Sequence, residues 1–279
     1  MIEIRGITIC VGYDDLLKIT LPRNMRHMSE CLVVTSPDDQ RTKDLALSVP
    51  GVRVFETDAF TRYGARFNKG LAMEEGFDAL GREGWILIWD ADILLPEEFP
   101  YDRVKPECLH GMRRRFLDDP TKWTPEYDWK LSRWPADPQW IGYFQLFHAG
   151  DPKLAGVRPW YDVTFAHAGG ADAYFITHWQ SPWRQSLKAD VLHLGPKDTN
   201  WFGRASARLD DLPNDAARER KDVMDAFIHR NGWEATHPQA DRTASQRVGR
   251  IVERVRVPGY PESNYELPFV RRARAREQE

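Results

Sequence analysis

The chain has 279 residues, enough for one large domain or two small ones. A hydrophobic fraction of 42% and a charged fraction of 29% are those of a soluble globular protein. The net charge of -3 names no partner, and no apolar run approaches the length of a membrane span.

The N-terminus carries no signal-peptide pattern. The three cysteines, Cys10, Cys31 and Cys108, have no metal-ligand spacing. Together these predict a reducing, cytoplasmic setting. Residues 3–11 predict a strand, followed by the polar turn Gly12-Tyr13-Asp14-Asp15 and a helix to Arg26. A second strand is expected over 31–35. Ser36-Pro37-Asp38-Asp39 then reads as the cap of a helix running to Val49, with proline at its first position and acids in its first turn. Residues 52–56 predict a third strand. Phe67, Leu71, Ala72, Gly76, Ala79 and Leu80 recur at helical spacing and stop at Gly81, so a helix is expected over 65–81. Alternating strands and helices imply a parallel sheet flanked by helices.

The next segment is the most informative. Trp85-Ile86-Leu87-Ile88-Trp89 is an apolar run of the kind buried on both faces of a sheet, and it ends in Asp90-Ala91-Asp92. Burying unpaired carboxylates is costly. At the carboxyl edge of an α/β sheet, where such folds bind ligands, they suit a divalent ion that also holds a diphosphate. A solvated turn is the alternative. The apolar run before the pair and Ile93-Leu94-Leu95-Pro96 after it favour the ligand-binding reading.

Residues 96–140 are polar and proline-punctuated and read as loops and short elements, an excursion over the active site. Residues 141–148 predict a strand. Gly169-Gly170 reads as a glycine turn opening a helix, 189–194 as a short strand and 214–230 as a helix. Eight of the 11 tryptophans lie between residues 123 and 201; most are expected in the core and two or three along a cleft. From Arg242 the tail carries nine arginines against five glutamates and is expected to wrap back or fray. No repeat or linker stands out. The expected organisation is one α/β domain over 1–212, with a C-terminal helix and arginine-rich extension over 213–279 packed on it or trailing from it.

The stretch from Arg66-Phe67-Asn68-Lys69-Gly70 through Gly76-Phe77-Asp78-Ala79-Leu80, followed by a strand and Asp90-Ala91-Asp92, resembles GT-A-fold glycosyltransferases. The pattern is similar to that of the β-1,4-galactosyltransferases and related family-2-type enzymes. Gly142-Tyr143-Phe144-Gln145-Leu146-Phe147 resembles the strand after their metal motif. Gly169-Gly170-Ala171-Asp172 resembles their Gly-Gly-Glu-Asp acceptor motif, and His193 stands where they place a metal-binding histidine. The resemblance spans residues 1 to 200 by order of motifs. Ala171 replaces the usual glutamate and Ala168 the usual tryptophan, so donor and acceptor identity do not carry over.

The resemblance implies a GT-A (Rossmann-like), mostly parallel sheet. It also implies a metal-dependent, inverting glycosyltransferase that moves a sugar from a nucleotide-sugar donor, UDP-linked, to a hydroxyl acceptor. Asp92 is then the first metal ligand, with His193 as nitrogen ligand. Asp90 contacts the ribose or a metal-bound water. The ion is Mn2+ or Mg2+, since imidazole beside oxygens suits Mn2+ better than Ca2+. A histidine capping a strand end is the alternative for His193. Asp172 is the candidate general base, where a Gly-Gly turn allows close approach to substrates; a helix-start aspartate favoured by the dipole is its alternative. The nucleoside falls to Val11, Gly12 and Tyr13 and to Asp38 or Asp39, although one of those acids also suits the helix start. Arg62, Asn68 and Lys69 lie at or before a helix opening, where phosphate or base contacts are made, and a solvated role is the alternative for Arg62. Lys197 and Arg204 are expected to clamp the diphosphate from a mobile loop.

Two other functions stay open. A nucleotidyltransferase would want a glycine-rich phosphate loop near the N-terminus, where only Gly6 and Gly12 are available. A non-catalytic nucleic-acid-binding module could use Arg113-Arg114-Arg115 with nearby tryptophans and the tail arginines 271–276 as a phosphate track. The same patches could hold a nucleic-acid acceptor, such as a hydroxymethylated base in phage DNA. A glycan or a small hydroxyl compound are the other acceptors the chemistry permits.

Overall fold

The computed structural model describes residues 2–133, 142–195, 203–204, 208–209 and 253–260. The elements in chain order are β1 (Ile4–Ile9), α1 (Asp14–Asn24), β2 (Glu30–Thr35), α2 (Gln40–Leu47), β3 (Val52–Glu56), α3 (Lys69–Leu80), β4 (Trp85–Trp89), β5 (Ile93–Leu94), β6 (Leu109–Leu117), β7 (Phe144–His148), α4 (Ala171–Ile176) and β8 (Arg184–Leu194). They form an 8-stranded sheet in the order β3-β2-β1-β4-β7-β6-β8-β5. The α/β, Rossmann-like class expected from the sequence is the one observed.

The sheet has two halves. β3, β2, β1 and β4 are parallel neighbours joined by the helices. From β4 onward the sheet is mixed. β7 runs antiparallel to β4 and β6, β8 pairs parallel with β6, and β5 pairs antiparallel with β8.

The run Trp85–Trp89 explains why β4 is central. Ile86 and Ile88 enter one core with Ile7, Leu32, Val34 and Phe77. Leu87 and Trp89 enter the opposite core with Leu17, Leu21, Val33 and Ala46. Alternate side chains serve opposite faces, and both faces are covered, so no polar residue is tolerated until the strand ends. Trp160 and Trp179 are also core, whereas Trp183 is exposed.

Several boundaries differ from expectation. The second helix starts at Gln40, not at Pro37. Asp39 caps it by accepting from Thr42 N at 3.1 Å, and the same carboxylate takes Gly12 N at 2.6 Å. The third helix starts at Lys69 because the Asn68 side chain accepts from Leu71 N at 2.9 Å. The region 96–140 is not only loop: it holds the nine-residue β6. Three consecutive arginines hid it, and its register shifts between Gly111 and Arg113. Arg113 and Arg115 both meet Asp190, while Arg114 lies over the Phe116 and Tyr143 rings. The three therefore do not form one phosphate track. The strand expected at 189–194 begins at Arg184.

Part of the tail packs back. Residues 253–260 run beside 164–166, with Val255 N on Thr164 O at 2.8 Å and Ala166 N on Glu253 O at 2.9 Å, and Val257 is buried. The helix expected over 214–230 and the arginines 271–276 lie outside the described residues. Among the described residues, no helix is long and apolar enough to cross a membrane. Cys10, Cys31 and Cys108 are free and buried. Burial pushes the Cys10 and Cys31 thiols up to about 12, which fits an inert core role.

Candidate functional site

The chain turns as β4 ends. Asp90 N donates to Tyr143 O at 3.1 Å and Ile93 N to Asp90 O at 2.9 Å, which fixes Asp90-Ala91-Asp92 at the carboxyl edge of the sheet. Asp92 also accepts Leu194 N on its backbone carbonyl at 2.9 Å, and Ile93 faces His193 across the β5–β8 pair. Two residues about a hundred positions apart thus become neighbours, with His193 Nε2 3.4 Å from Asp92 Oδ2.

The tautomer follows from the other ring nitrogen. His193 Nδ1 lies 2.8 Å from Gly195 O, and a carbonyl can only accept, so Nδ1 carries the hydrogen. On a neutral ring, Nε2 then turns its lone pair towards the Asp92 carboxylate. Asp92 Oδ1 is buried without a hydrogen-bond partner. Burial raises the Asp92 carboxyl above the usual range and Asp90 adds to this; His193 and Arg114 oppose it. A lone pair facing a carboxylate is repulsive unless a proton or a cation lies between them. Nitrogen and oxygen ligands bind a small divalent ion at about 2.0–2.2 Å, which sets adjacent ligands about 3 Å apart or slightly more. The pair fits that requirement. Among the described residues, no group of three or more His, Cys, Asp or Glu is arranged to hold a metal. A cation here would draw its remaining ligands from a substrate or from water.

Lys69 opens α3 and is buried, with its ammonium on Asp90 Oδ1 at 2.8 Å. Burial works against its charge, but Asp90, Asp172 and Asp92 more than offset it, and Lys69 titrates above the usual lysine range. It holds a permanent positive charge between carboxylates.

Asp172 is the second residue of α4. The helix starts from Gly170 at φ 110°, where a Cβ would lie 2.7 Å from the Phe165 ring. Asp172 Oδ1 accepts Ala173 N at 2.7 Å, and its Oδ2 lies 1.8 Å from where a Cβ on Gly142 would stand. Gly142 is thus required twice, by its φ of 84° and by the carboxylate beside it. Burial raises the Asp172 carboxyl, Lys69 opposes this and Asp90 adds to it. A desolvated carboxylate of raised basicity beside an open edge has the properties of a general base.

On the other side lies the loop after β1. Arg204 donates to Gly12 O at 2.7 Å, pairs with Asp15 and stacks 4.8 Å from the Tyr13 ring. The Tyr13 phenol is pushed well up, by burial first and then by Asp92. Tyr13, with Arg204 stacked on it, therefore lies near enough to Asp92 and Asp90 to feel their charge, and Val11 and Gly12 lead into it.

The remaining expected residues divide clearly. Asn68 is fully buried, with its amide donating to Val163 O at 2.7 Å while its oxygen caps α3, so both groups are spent inside the fold. Asp39 is spent on the α2 cap and on Gly12, and Asp38 is exposed. Arg62 is paired with Asp58 and Glu75, apart from the carboxylates at the sheet edge. Lys197 lies outside the described residues. The sequence reading placed Arg114 only in a nucleic-acid phosphate track with its neighbours, from which strand alternation in β6 separates it. It missed Gln145, whose amide donates to Asp172 O at 3.4 Å while its oxygen accepts from Tyr161.

No protein-family model matches the sequence, and no curated protein matches it. Solved structures do. One is 4-diphosphocytidyl-2C-methyl-D-erythritol synthase from Anaerococcus prevotii, 15% identical, TM-score 0.42, covering 82% of this chain and 99% of that one. A second is the inositol-1-phosphate CTP transferase from T. maritima, 10% identical, TM-score 0.46, covering 82% and 97%. A third is mannosyl-3-phosphoglycerate synthase from Rubrobacter xylanophilus, 15% identical, TM-score 0.44, covering 88% and 78%. Their names cover different reactions, and the function of this chain rests on its own side chains.

Proposed function

We propose that this chain is a metal-dependent glycosyltransferase that moves a sugar from a nucleoside-diphosphate donor to a hydroxyl acceptor with inversion. The observation that carries the reading is the Asp92–His193 pair, a carboxylate with an orphaned buried oxygen whose other oxygen stands 3.4 Å from an imidazole Nε2. Asp92 and His193 would hold Mn2+ or Mg2+, which when bound neutralises charge on a departing diphosphate. Asp90, held by Lys69, is left for the ribose or a bound water. Asp172 accepts the acceptor's proton at Oδ2, on the side of the cleft bordered by Gly142. Lys69 keeps the neighbouring carboxylates compatible. Tyr13 offers a ring to the base, and the donor is taken as a uridine diphosphate sugar. The narrower likeness to β-1,4-galactosyltransferases rests on Gly169-Gly170-Ala171-Asp172, in which Ala171 departs from the pattern.

Nucleotidyl transfer requires a cationic or glycine-rich cradle for a triphosphate. Here the β1–α1 turn instead presents Asp14 and Asp15, each paired with an arginine, Arg208 and Arg204. Both arginines at that turn are committed to these carboxylates, so the turn does not form the cationic cradle a triphosphate needs, which favours the glycosyl reading.

Calorimetry with uridine diphosphate and Mn2+ tests the proposal. Asp92→Ala should abolish metal-dependent binding without unfolding the protein. Equal binding by wild type and variant would remove the metal assignment, and absence of nucleotide binding by the wild type would sink the reading.

A further inference from the structure

We infer that Arg114 is an anion-binding side chain of this site and takes a phosphate group. Resting on the transferase reading, the inference names a residue that reading does not use.

The neighbouring arginines show what an occupied guanidinium looks like here. Arg113 and Arg115 share Asp190 at 3.1 and 2.8 Å, and Arg133 is paired with Asp118 at 2.9 Å. Arg114 points to the opposite face of β6, as strand alternation demands. Among the described residues it has no carboxylate at ion-pair distance and no hydrogen-bond acceptor, although its charge reaches Asp92. Its contacts are two rings, Tyr143 at 4.5 Å and Phe116 at 4.7 Å. Both rings are fixed. Tyr143 is buried and its hydroxyl donates to Met112 O at 2.6 Å; Phe116 is buried and its ring lies 5.0 Å from that of His193. Stacking orients the planar guanidinium while leaving its N–H edge unspent.

The position gives this edge a target. Phe116 stands between Arg114 and His193, and Tyr143 accepts Asp90 N on its carbonyl, so the two supporting rings belong to residues that touch the metal pair and the Asp-Ala-Asp turn. An arginine held flat by aromatic rings, with its donor fork open beside a candidate cation site, is suited to two oxygens of one phosphate. The phosphate belongs either to the donor's diphosphate or to the second substrate.

Arg114→Met keeps the stem over Tyr143 and removes the charge, and Arg114→Lys keeps the charge and removes the fork. Melting temperatures of both variants check the fold. Wild type and variants are titrated with inorganic pyrophosphate and with uridine diphosphate, each with Mg2+, and with inorganic phosphate after saturation with uridine diphosphate. Loss of one charge-assisted contact should weaken binding by about 10- to 100-fold in Arg114→Met and less in Arg114→Lys. Weaker uridine diphosphate and pyrophosphate binding assigns Arg114 to the donor. Unchanged uridine diphosphate binding with loss of the added phosphate assigns it to the second substrate. Unchanged affinities throughout overturn the inference and leave the transferase reading standing. If the wild type binds pyrophosphate through Arg114 but no uridine diphosphate, the Arg114 assignment holds and the uridine-nucleotide reading falls. A wild type that binds none of the three overturns the inference.

Discussion

Gly142→Ala should disable the proposed transfer while leaving the chain folded. A Cβ at residue 142 would lie 1.8 Å from Asp172 Oδ2, 2.7 Å from its Cγ and 3.2 Å from its Cβ. Carbon and oxygen in contact stand about 3.3 Å apart, so the carboxylate oxygen must retreat by roughly 1.5 Å. Retreat is possible only by rotating the side chain away from the edge it occupies, because Asp172 sits at a helix start fixed by Gly170 and Phe165. Misplacing a reacting group by about 1 Å can cost about 100-fold in rate, so turnover should fall by at least that factor. Alanine at φ 84° adds a backbone cost of about 1–2 kcal/mol, which lowers the melting temperature by a few degrees without unfolding the chain. Donor affinity, which does not use Asp172, should be unchanged. The assay is turnover at saturating donor, with uridine diphosphate affinity measured beside it. Asp172→Asn alone should lose about two to four orders of magnitude. The double variant should be no slower than Asp172→Asn, since both changes act on one carboxylate. Wild-type turnover in Gly142→Ala, or losses that simply multiply in the double variant, would refute the reasoning.

Two further outcomes concern stability. Burial raises the Asp172 carboxyl, so the folded protein keeps this proton to higher pH than the unfolded chain does. The stability this group contributes is complete below the ordinary carboxylate value and is lost as pH rises through the raised folded value. Asp172→Asn cannot ionise; it should melt higher than wild type near neutral pH and no higher at about pH 4, and a lower melting temperature at both would contradict this. Ending the chain at residue 252 should cost at least about 2 kcal/mol, because it strips Val257 from the core and Arg254 from Asp162, where they meet at 2.7 Å. A urea midpoint equal to that of the full chain would show that the segment contributes nothing.

Local chemistry made much of the first half legible. β4 is an unbroken apolar run because both its faces are covered, and the acids that end it mark where cover stops. The helix starts were less legible. Asp39 was read both as a nucleoside contact and as a helix-start acid, and Asn68 as a phosphate or base contact; both act as caps, since the same short polar side chains serve either purpose and only tertiary partners decide. β6 was lost because arginines in a strand look like a solvated loop until Asp190 on β8 is brought beside them. His193 and Asp92 could be named from order of motifs, but their 3.4 Å approach comes from the β5–β8 pairing, which no local pattern announces. Gly142 stood out only as the first residue of a strand motif, because the carboxylate that forbids a side chain there lies thirty residues away.

The charges of the site are divided in a way that fits group transfer. Asp90 and Asp172 share one buried lysine, whose ammonium meets Asp90 at 2.8 Å and opposes the burial that raises the Asp172 carboxyl. Asp92 feels that lysine more weakly and makes no hydrogen bond to it; His193 Nε2 stands 3.4 Å from its Oδ2, and its Oδ1 is left bare. A fold built only for stability would satisfy that oxygen, since an unpaired buried acceptor costs about 1–3 kcal/mol. The asymmetry makes sense if the missing partner arrives with the substrate. On the proposed reading, Lys69 supports proton transfer at Asp172, while Asp92 and Arg114 are left to meet a substrate that brings both a phosphate and a divalent ion.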